Sequence, residues 1–367
     1  MKSILVLLVG VTAWTASCAD GHASSSASGS SPGSPPAPAA DATQATIDLG
    51  RLLFFEERLS VPRGMACATC HDPARGWSDD RPQGKGVQDH TLDSAGHDDH
   101  LAVAGNRFKT ILTDRNTPSI YNSFLFPNQF WDKRAGDLVH QANFPTEGFN
   151  EMNSSWEDHI LPFLASDPGY VAAFEAAYGP GAITQANAVD AIGVYEATIT
   201  AFDTPFDQYL AGDLTAMTQE QIDGKDLFFG KAGCFNCHPT PMLTDFSQHN
   251  TGVPNAGQLA LAGEIDFGFG KRLDLTQDPP VQHDDKQDYA KFKTPQLRML
   301  KVTGPYMHNG AIATLEDVVD FYDAGGGPDL SGEATKSGLL APLNLTQSEK
   351  QALVAFLRDG LFGSEIQ

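Results

Sequence analysis

Two pentapeptides constrain this chain more than any other feature: Cys67-Ala68-Thr69-Cys70-His71 and Cys234-Phe235-Asn236-Cys237-His238. Each reads C-x-x-C-H, the spacing of covalent c-type haem attachment. Two thiols three positions apart can each add across one vinyl of the same porphyrin. The His that follows is placed to ligate the iron from one side. A zinc half-site or a redox dithiol would explain one such pentapeptide. Paired zinc half-sites, however, lie within about 15–20 residues of each other, whereas these begin 167 residues apart. A redox dithiol does not call for the His and would rarely occur twice. The chain therefore reads as a holder of two haem c groups. Cys67, Cys70, Cys234 and Cys237 attach them, and His71 and His238 ligate the irons.

At 367 residues the chain has room for two domains, and one motif falls in each half. We expect an N-terminal haem domain over 46–210 and a C-terminal one over 211–367. Lys plus Arg number 24 against 46 Asp plus Glu, a net charge of −22. That balance argues against nucleic acid and anionic membrane surfaces and mildly favours basic partners. Solubility of an exported protein explains it equally well.

The N-terminus reads as an export signal. Lys2 precedes the apolar run Ile4–Val11, too short to span a bilayer as a stable helix. Thr15-Ala16-Ser17-Cys18 then resembles a lipoprotein cleavage site, with Thr15 where Leu is usual. Four of the five Cys are taken by haem, and a lipid would account for the fifth, Cys18. Residues 1–18 are thus expected to be a lipoprotein-type signal peptide, and a simple secretion signal is the alternative. Either places the protein outside the cytoplasm, where c-type haem is attached: periplasmic, with a lipid anchor in the outer membrane on the first reading. Residues 19–45, rich in Ser, Gly, Pro and Ala, bury too little to offset ordering entropy and are expected to form a flexible tether.

Folding is expected from about Ile47, with helix-spaced apolar residues to Phe55. Residues 72–113 and 239–290 read as long loops. His90, His97 and His100 lie in the first, among several Asp; they suit a solvated loop or a ligand to an iron or another metal. Helices are expected from Ser154 (Ser154-x-x-Glu157) to Leu164, from Asp167-Pro168 to Tyr178, and from Asn187 to Phe202. Others start at Thr218, at Thr314 and at Thr346, the last running to about Leu357. No stretch alternates at period two, and no internal repeat stands out beyond the two haem motifs. The fold class is mainly α: two cytochrome c-like haem domains with long loops.

Several further stretches, in this order, resemble the bacterial di-haem cytochrome c peroxidase and MauG family. They are Leu53-Phe54-Phe55-Glu56-Glu57-Arg58-Leu59-Ser60, Arg115-Asn116-Thr117-Pro118-Ser119, Phe130-Trp131-Asp132-Lys133-Arg134 and Glu151-Met152. Beyond these come Phe206-Asp207-x-Tyr209-Leu210-x-Gly212, Phe292-Lys293-Thr294-Pro295-x-Leu297-Arg298, Pro305-Tyr306-Met307-His308-Asn309-Gly310 and Phe321-Tyr322. The resemblance runs from about residue 47 to the end.

It implies that peroxide is activated at the His71 haem, with Glu151 as the acid beside its open face. Heterolysis of HO–OH needs a proton moved from the near oxygen to the departing one. Gln141 matches a family Gln of that pocket, and Pro145 falls where MauG has a Pro over the open face. Trp131 matches the aromatic residue between the haems. Asn116, Thr303 and Pro305 match positions that hold a calcium ion, whose hard-cation chemistry takes amide and carbonyl oxygens. At the second haem, the family's peroxidases place a Met where this chain has Tyr322, as MauG-type enzymes do. Met307 is a rival ligand nearby. A Trp that MauG presents before its second motif is replaced by Ala232.

The resemblance thus implies a di-haem peroxidase that reduces hydrogen peroxide with electrons from a small cytochrome c or copper protein. The runner-up is a MauG-like oxidase acting on a protein or small molecule; a non-enzymatic electron carrier or redox sensor is the third reading. Calcium is an expected cofactor beside the two haems, a homodimer is allowed, and membrane contact would be through the N-terminal lipid alone. Mass spectrometry of protein matured in a c-type haem host is expected to find two covalent haems, on Cys67/Cys70 and Cys234/Cys237. A single haem, or zinc at either motif, would refute the assignment.

Overall fold

A computed structural model describes residues 42–87 and 112–363, apart from Asp278. The signal segment with Cys18, most of the tether, and His90, His97 and His100 lie outside the described residues. In chain order the helices are α1 (Gln44–Phe54), α2 (Cys67–Cys70), α3 (Leu138–Gln141), α4 (Asn143–Glu147), α5 (Leu161–Ser166) and α6 (Pro168–Tyr178). They continue with α7 (Gln185–Glu196), α8 (Pro205–Leu210), α9 (Gln219–Phe229), α10 (Gly257–Leu261), α11 (Leu315–Asp323) and α12 (Gln347–Ala355). Strands β1 (Gln248–His249), β2 (Lys271–Asp274), β3 (Val281–Asp284) and β4 (Phe292–Lys293) form two small antiparallel pairs, β1 with β4 and β2 with β3. Helix dominates, as expected, and none of the described helices is long and apolar enough to cross a membrane.

Hydroxyl and carboxylate caps set most helix starts. Thr218 and Thr346 each accept from the third helical N–H, while Gln221 and Glu349 answer the cap's own N–H, giving full capping boxes on α9 and α12. Asp167 caps α6 and Gly179 ends it, as the sequence predicts. Three expectations shift. The first described helix begins at Gln44 rather than Ile47, because Thr43 Oγ1 accepts the Thr46 N–H at 3.2 Å. Ser155, not Ser154, caps the next helix, since the Ser154 N–H is committed to the Thr146 carbonyl. A π turn over Trp156–Ile160 precedes α5, at whose second position Pro162 has no N–H to give. Finally, α7 starts at Gln185 and stops at Glu196, six residues before Phe202. Buried Asn122 takes over the chain there: it bonds the Ile199 carbonyl through its backbone and both backbone groups of Ala201 through its side chain.

The expected loop over 239–290 holds all of β1, α10, β2 and β3. Its hairpin strands, Lys-Arg-Leu-Asp and Val-Gln-His-Asp, are too short and too exposed to show a buried face, so alternation could not reveal them.

An internal repeat extends well beyond the two pentapeptides. Gly50-Arg51-Leu52-Leu53-Phe54-Phe55 and Gly224-Lys225-Asp226-Leu227-Phe228-Phe229 occupy equivalent places on α1 and α9, each ahead of a haem motif. Gly50 crosses α7 so closely that a Cβ would stand 1.9 Å from the Ala191 carbonyl oxygen. Gly224 crosses α12 in the same way, 1.9 Å from the Ala352 oxygen. Two apolar cores follow from the two crossings. One gathers Leu49, Leu53, Phe54, Ile192 and Tyr195 with Met65 and Trp77; the other gathers Phe206, Phe228, Leu353 and Phe356 with Leu243. Arg298, 2% exposed, fastens the second by pairing with Asp207 and donating to the Pro241 carbonyl. Because no rotamer relieves a Cβ against a backbone oxygen, Gly50→Val and Gly224→Val are each expected to cost about 2–3 kcal/mol. Denaturant unfolding of the haem-loaded protein measures this, and a loss near zero would mean that the helices can part.

Candidate di-haem site

Each motif is wound so that its His closes a helical turn. The His71 N–H donates to the Cys67 carbonyl and the His238 N–H to the Cys234 carbonyl, both at 2.9 Å. Each imidazole is then locked by its Nδ1, which lies 3.1 Å from the Trp77 carbonyl for His71 and 2.8 Å from the Leu243 carbonyl for His238. Trp77 and Leu243 carry left-handed backbones, φ +57° and +55°, although neither is glycine. Strain of that kind persists where surrounding structure fixes it, and here it turns a carbonyl onto a histidine. Burial disfavours the imidazolium, pushing His71 downward and His238 to about 4. A neutral ring donating from Nδ1 leaves the Nε2 lone pair for iron. Phe54 and Phe228 stand 6.4 and 6.5 Å from the two imidazoles, a further trace of the repeat.

The four thiols are free, and burial raises them all, Cys70 and Cys234 to about 12 and Cys237 to about 11. Reduced thiol pairs, an oriented imidazole and an aromatic wall fit covalent haem at both motifs.

Sequence-expected residues gather at the first motif. α3 and α4 form a hook carrying Gln141 and Pro145, and the chain folds back so that the Met152 N–H reaches the Pro145 carbonyl at 3.1 Å. Glu151 is pinned within this hook. Its N–H donates to Gly148, and its carbonyl accepts the Val87 N–H at 2.7 Å. The carboxyl is close enough to Cys67 and Cys70 to raise both thiols. Burial lifts Glu151 above the ordinary carboxyl range; Arg134 opposes this and Asp114 adds to it. Burial of this kind disfavours the charged carboxylate and strengthens its hold on a proton relative to an exposed Glu.

Trp131 lies where the two halves meet. Its indole N–H donates to the Asn116 carbonyl at 2.8 Å, and its own carbonyl accepts the Lys293 N–H at 2.7 Å. Arg115 sits beneath, bridging Asp132 at 2.7 Å and Asp266 at 2.6 Å. Burial would raise Asp266, but Arg115 outweighs it and holds the carboxyl at about 2. Asn116 faces the segment of Thr303 and Pro305 through its N–H, which donates to the His308 carbonyl at 2.8 Å. Its side-chain amide N–H donates to the Arg81 carbonyl at 2.9 Å.

At the second motif, Tyr322 projects from α11. Burial raises its phenol, and the Cys234 and Cys237 thiols raise it further; Thr251 is its hydrogen-bond partner. The phenol therefore shares a site with the attachment thiols. Met307 sits half-buried on a turn closed by the Gly310 N–H. Ala232 is buried in the second core. Sequence reasoning missed the carbonyls of Trp77 and Leu243, which carry no side-chain signal. It also gave no role to His308, which stacks on Phe292 at 3.5 Å, or to Lys133 and Lys293 within their motifs.

These features define a protein with two covalent haem sites built on one repeated frame. The di-haem cytochrome c peroxidase family profile matches residues 44–215. Cytochrome-c peroxidase IdrP2 of Denitromonas iodatirespirans is 34% identical over 97% of this chain and 90% of its own length. Methylamine utilization protein MauG of Methylorubrum extorquens is 35% identical over 85% of this chain and 76% of its own. Among solved structures, a MauG-like protein associated with microbial copper homeostasis superposes with a TM-score of 0.67 at 29% identity, covering 88% of this chain and 90% of that one. The chain belongs to the di-haem cytochrome c peroxidase family, an enzyme family that includes MauG. Glu151→Gln removes the one raised carboxyl of the hook while keeping its shape. It is expected to retain both haems and to lower peroxide turnover by about 10²-fold or more in a steady-state assay; unchanged turnover would remove Glu151 from the chemistry.

Proposed function

We propose that this chain is a periplasmic peroxidase that reduces hydrogen peroxide to water, drawing electrons from a small cytochrome c or copper protein. The observation that carries this reading is Glu151, a buried carboxyl whose proton affinity burial raises, set beside the first haem motif and Pro145. Haem bound at Cys67, Cys70 and His71 would supply the redox iron at which peroxide is reduced. The chain's own groups then manage protons and electrons. Glu151 takes the proton from the near peroxide oxygen and returns it to the departing one. Two electrons and two protons convert one peroxide into two waters. Pro145 has no group that ligates iron, so it leaves the open face free, and Gln141 offers an amide to the same pocket. Trp131, held by Asn116, lies on the electron path between the halves.

Tyr322 favours a second reading, a MauG-like oxidase that modifies a protein or small molecule. A phenolate stabilises ferric iron and lowers its potential, whereas Met does the reverse. Two features separate this chain from that subgroup: Ala232 stands in place of its Trp, and Met307 is a competing ligand. In the same proposal, residues 46–210 and 211–367 form the two haem domains, and Asn116, Thr303 and Pro305 would hold a calcium ion. The support for calcium is that the Asn116 amide donates to Arg81 through its nitrogen, leaving its oxygen for a cation. A lipid on Cys18 and a homodimer belong to this proposal too.

With Tyr322 as ligand, the second haem is expected to stay ferric under mild reductants that reduce a His/Met haem, and the all-ferric protein to react with peroxide directly. Stopped-flow spectra of the ferric protein test this. Reaction only after one-electron reduction, or Tyr322→Phe spectra identical to wild type, would overturn the Tyr322 assignment.

A further inference from the structure

Lys133, Lys293 and Arg272 converge beside Trp131, and of the acids in reach only Asp274 pairs within the group, with Arg272. The β1–β4 pair sets Lys293 opposite Gln248. The Gln248 Oε1 and the Phe246 carbonyl accept from Lys133 Nζ at 3.1 and 3.0 Å. Lys293 Nζ lies 4.2 Å from the centroid of the Phe126 ring and makes no hydrogen bond or ion pair among the described residues. Lys133 and Arg272 share the Phe269 ring, at 5.7 and 3.8 Å. Arg272 reaches Asp274 and the Phe269 carbonyl, yet its Nε is buried without a partner. Of the neighbouring acids, Asp132 is held by Arg115 and Arg134, and Asp245 by His249.

Lys133 and Lys293 pack against aromatic rings without an ion pair among the described residues, and Arg272 has Asp274 alone; three cations against one carboxylate argue for a further anion among them. Burial, then Lys133, brings Lys293 down to about 8, as expected of cations crowded together without that anion. A chain of net charge −22 repels free anions, so a tethered one is favoured. The second haem is covalently tethered in this part of the chain. The Asp245 N–H donates to the Cys237 carbonyl at 2.8 Å, and the next residue, Phe246, supplies the carbonyl that holds Lys133. A haem bound through its two vinyl positions carries its two propionates on the opposite edge, as the only carboxylates of the cofactor.

We propose that Lys133, Lys293 and Arg272 form a carboxylate-binding site whose occupant is a propionate of the second haem. The site rests on the two-haem reading above and adds to it a determinant of the second haem's reduction equilibrium. Cations at this edge keep the propionate ionised and offset its charge, which favours the electron on the nearby iron and opposes the effect of a phenolate ligand.

The test is spectroelectrochemical titration of haem-loaded wild type, Lys293→Gln, Lys133→Gln and Lys293→Arg. At a fixed ambient potential, each Gln variant is expected to lower the ratio of reduced to ferric second haem about tenfold, the size of one partly screened charge. Lys293→Arg keeps the charge and the wild-type ratio. Infrared difference spectra are expected to show a shifted carboxylate band in the Gln variants. An unchanged second-haem equilibrium in Lys293→Gln overturns the site, and so does a change confined to the first haem. A wild-type equilibrium that moves with added acetate would mark a free anion as the occupant and overturn the propionate assignment. Should Lys133→Gln fail to fold, the Lys293 pair of variants decides alone. Failure of the two-haem reading would show separately, as a missing covalent haem in the mass spectrum of the same wild-type sample.

Discussion

A buried imidazole presents one defined nitrogen to a metal only if its other nitrogen has a fixed partner, and much of this structure serves that requirement twice. The partner is a backbone carbonyl in both halves, Trp77 for His71 and Leu243 for His238. To aim those carbonyls inward, the chain accepts a left-handed backbone at two bulky residues. Such a conformation survives only inside a rigid core. The core in turn depends on helices that approach to backbone contact at Gly50 and Gly224. Helix crossing, carbonyl and imidazole form one chain of dependence, repeated in each half.

The halves share a frame and differ in what they set against the haem motif. In the first, a hook formed by α3, α4 and the following turn brings a raised carboxyl, Glu151, near Cys67 and Cys70. In the second, α11 brings a phenol, Tyr322, near Cys234 and Cys237. A carboxyl with a raised proton affinity suits proton transfer, whereas a phenol is a candidate iron ligand. The division of labour proposed here follows from that difference in chemistry.

Charge ties the region between them. Arg115 spans two carboxylates, Asp132 and Asp266, whose own segments come from opposite halves of the sequence. The indole of Trp131 rests on the residue next to it, Asn116. With Asp132 and Asp245 already engaged, the nearby lysines are left facing aromatic rings. A strongly acidic protein thus gathers three cations beside Trp131, the place proposed above for a carboxylate.

Local chemistry alone determined a good deal. Thiol spacing names the attachment sites, because covalent reach is a property of a five-residue segment. Thr218, Thr346 and Asp167 mark helix starts, because a cap bonds N–H groups only two or three residues away. The order of motifs placed the chain in its family. Other features needed the fold. The stop of α7 at Glu196 is imposed by Asn122, more than seventy residues earlier in the chain, and no local pattern carries it. The hairpin of β2 and β3 has no buried face to announce it. The repeat around Gly50 and Gly224 does not stand out in the sequence, because its meaning rests on the distance from each glycine to a facing helix. That the Glu151 carboxyl is raised, and that Lys293 has no ion-pair partner among the described residues, was decided by tertiary structure alone, since burial and the commitment of nearby charges depend on which distant segments fold against them.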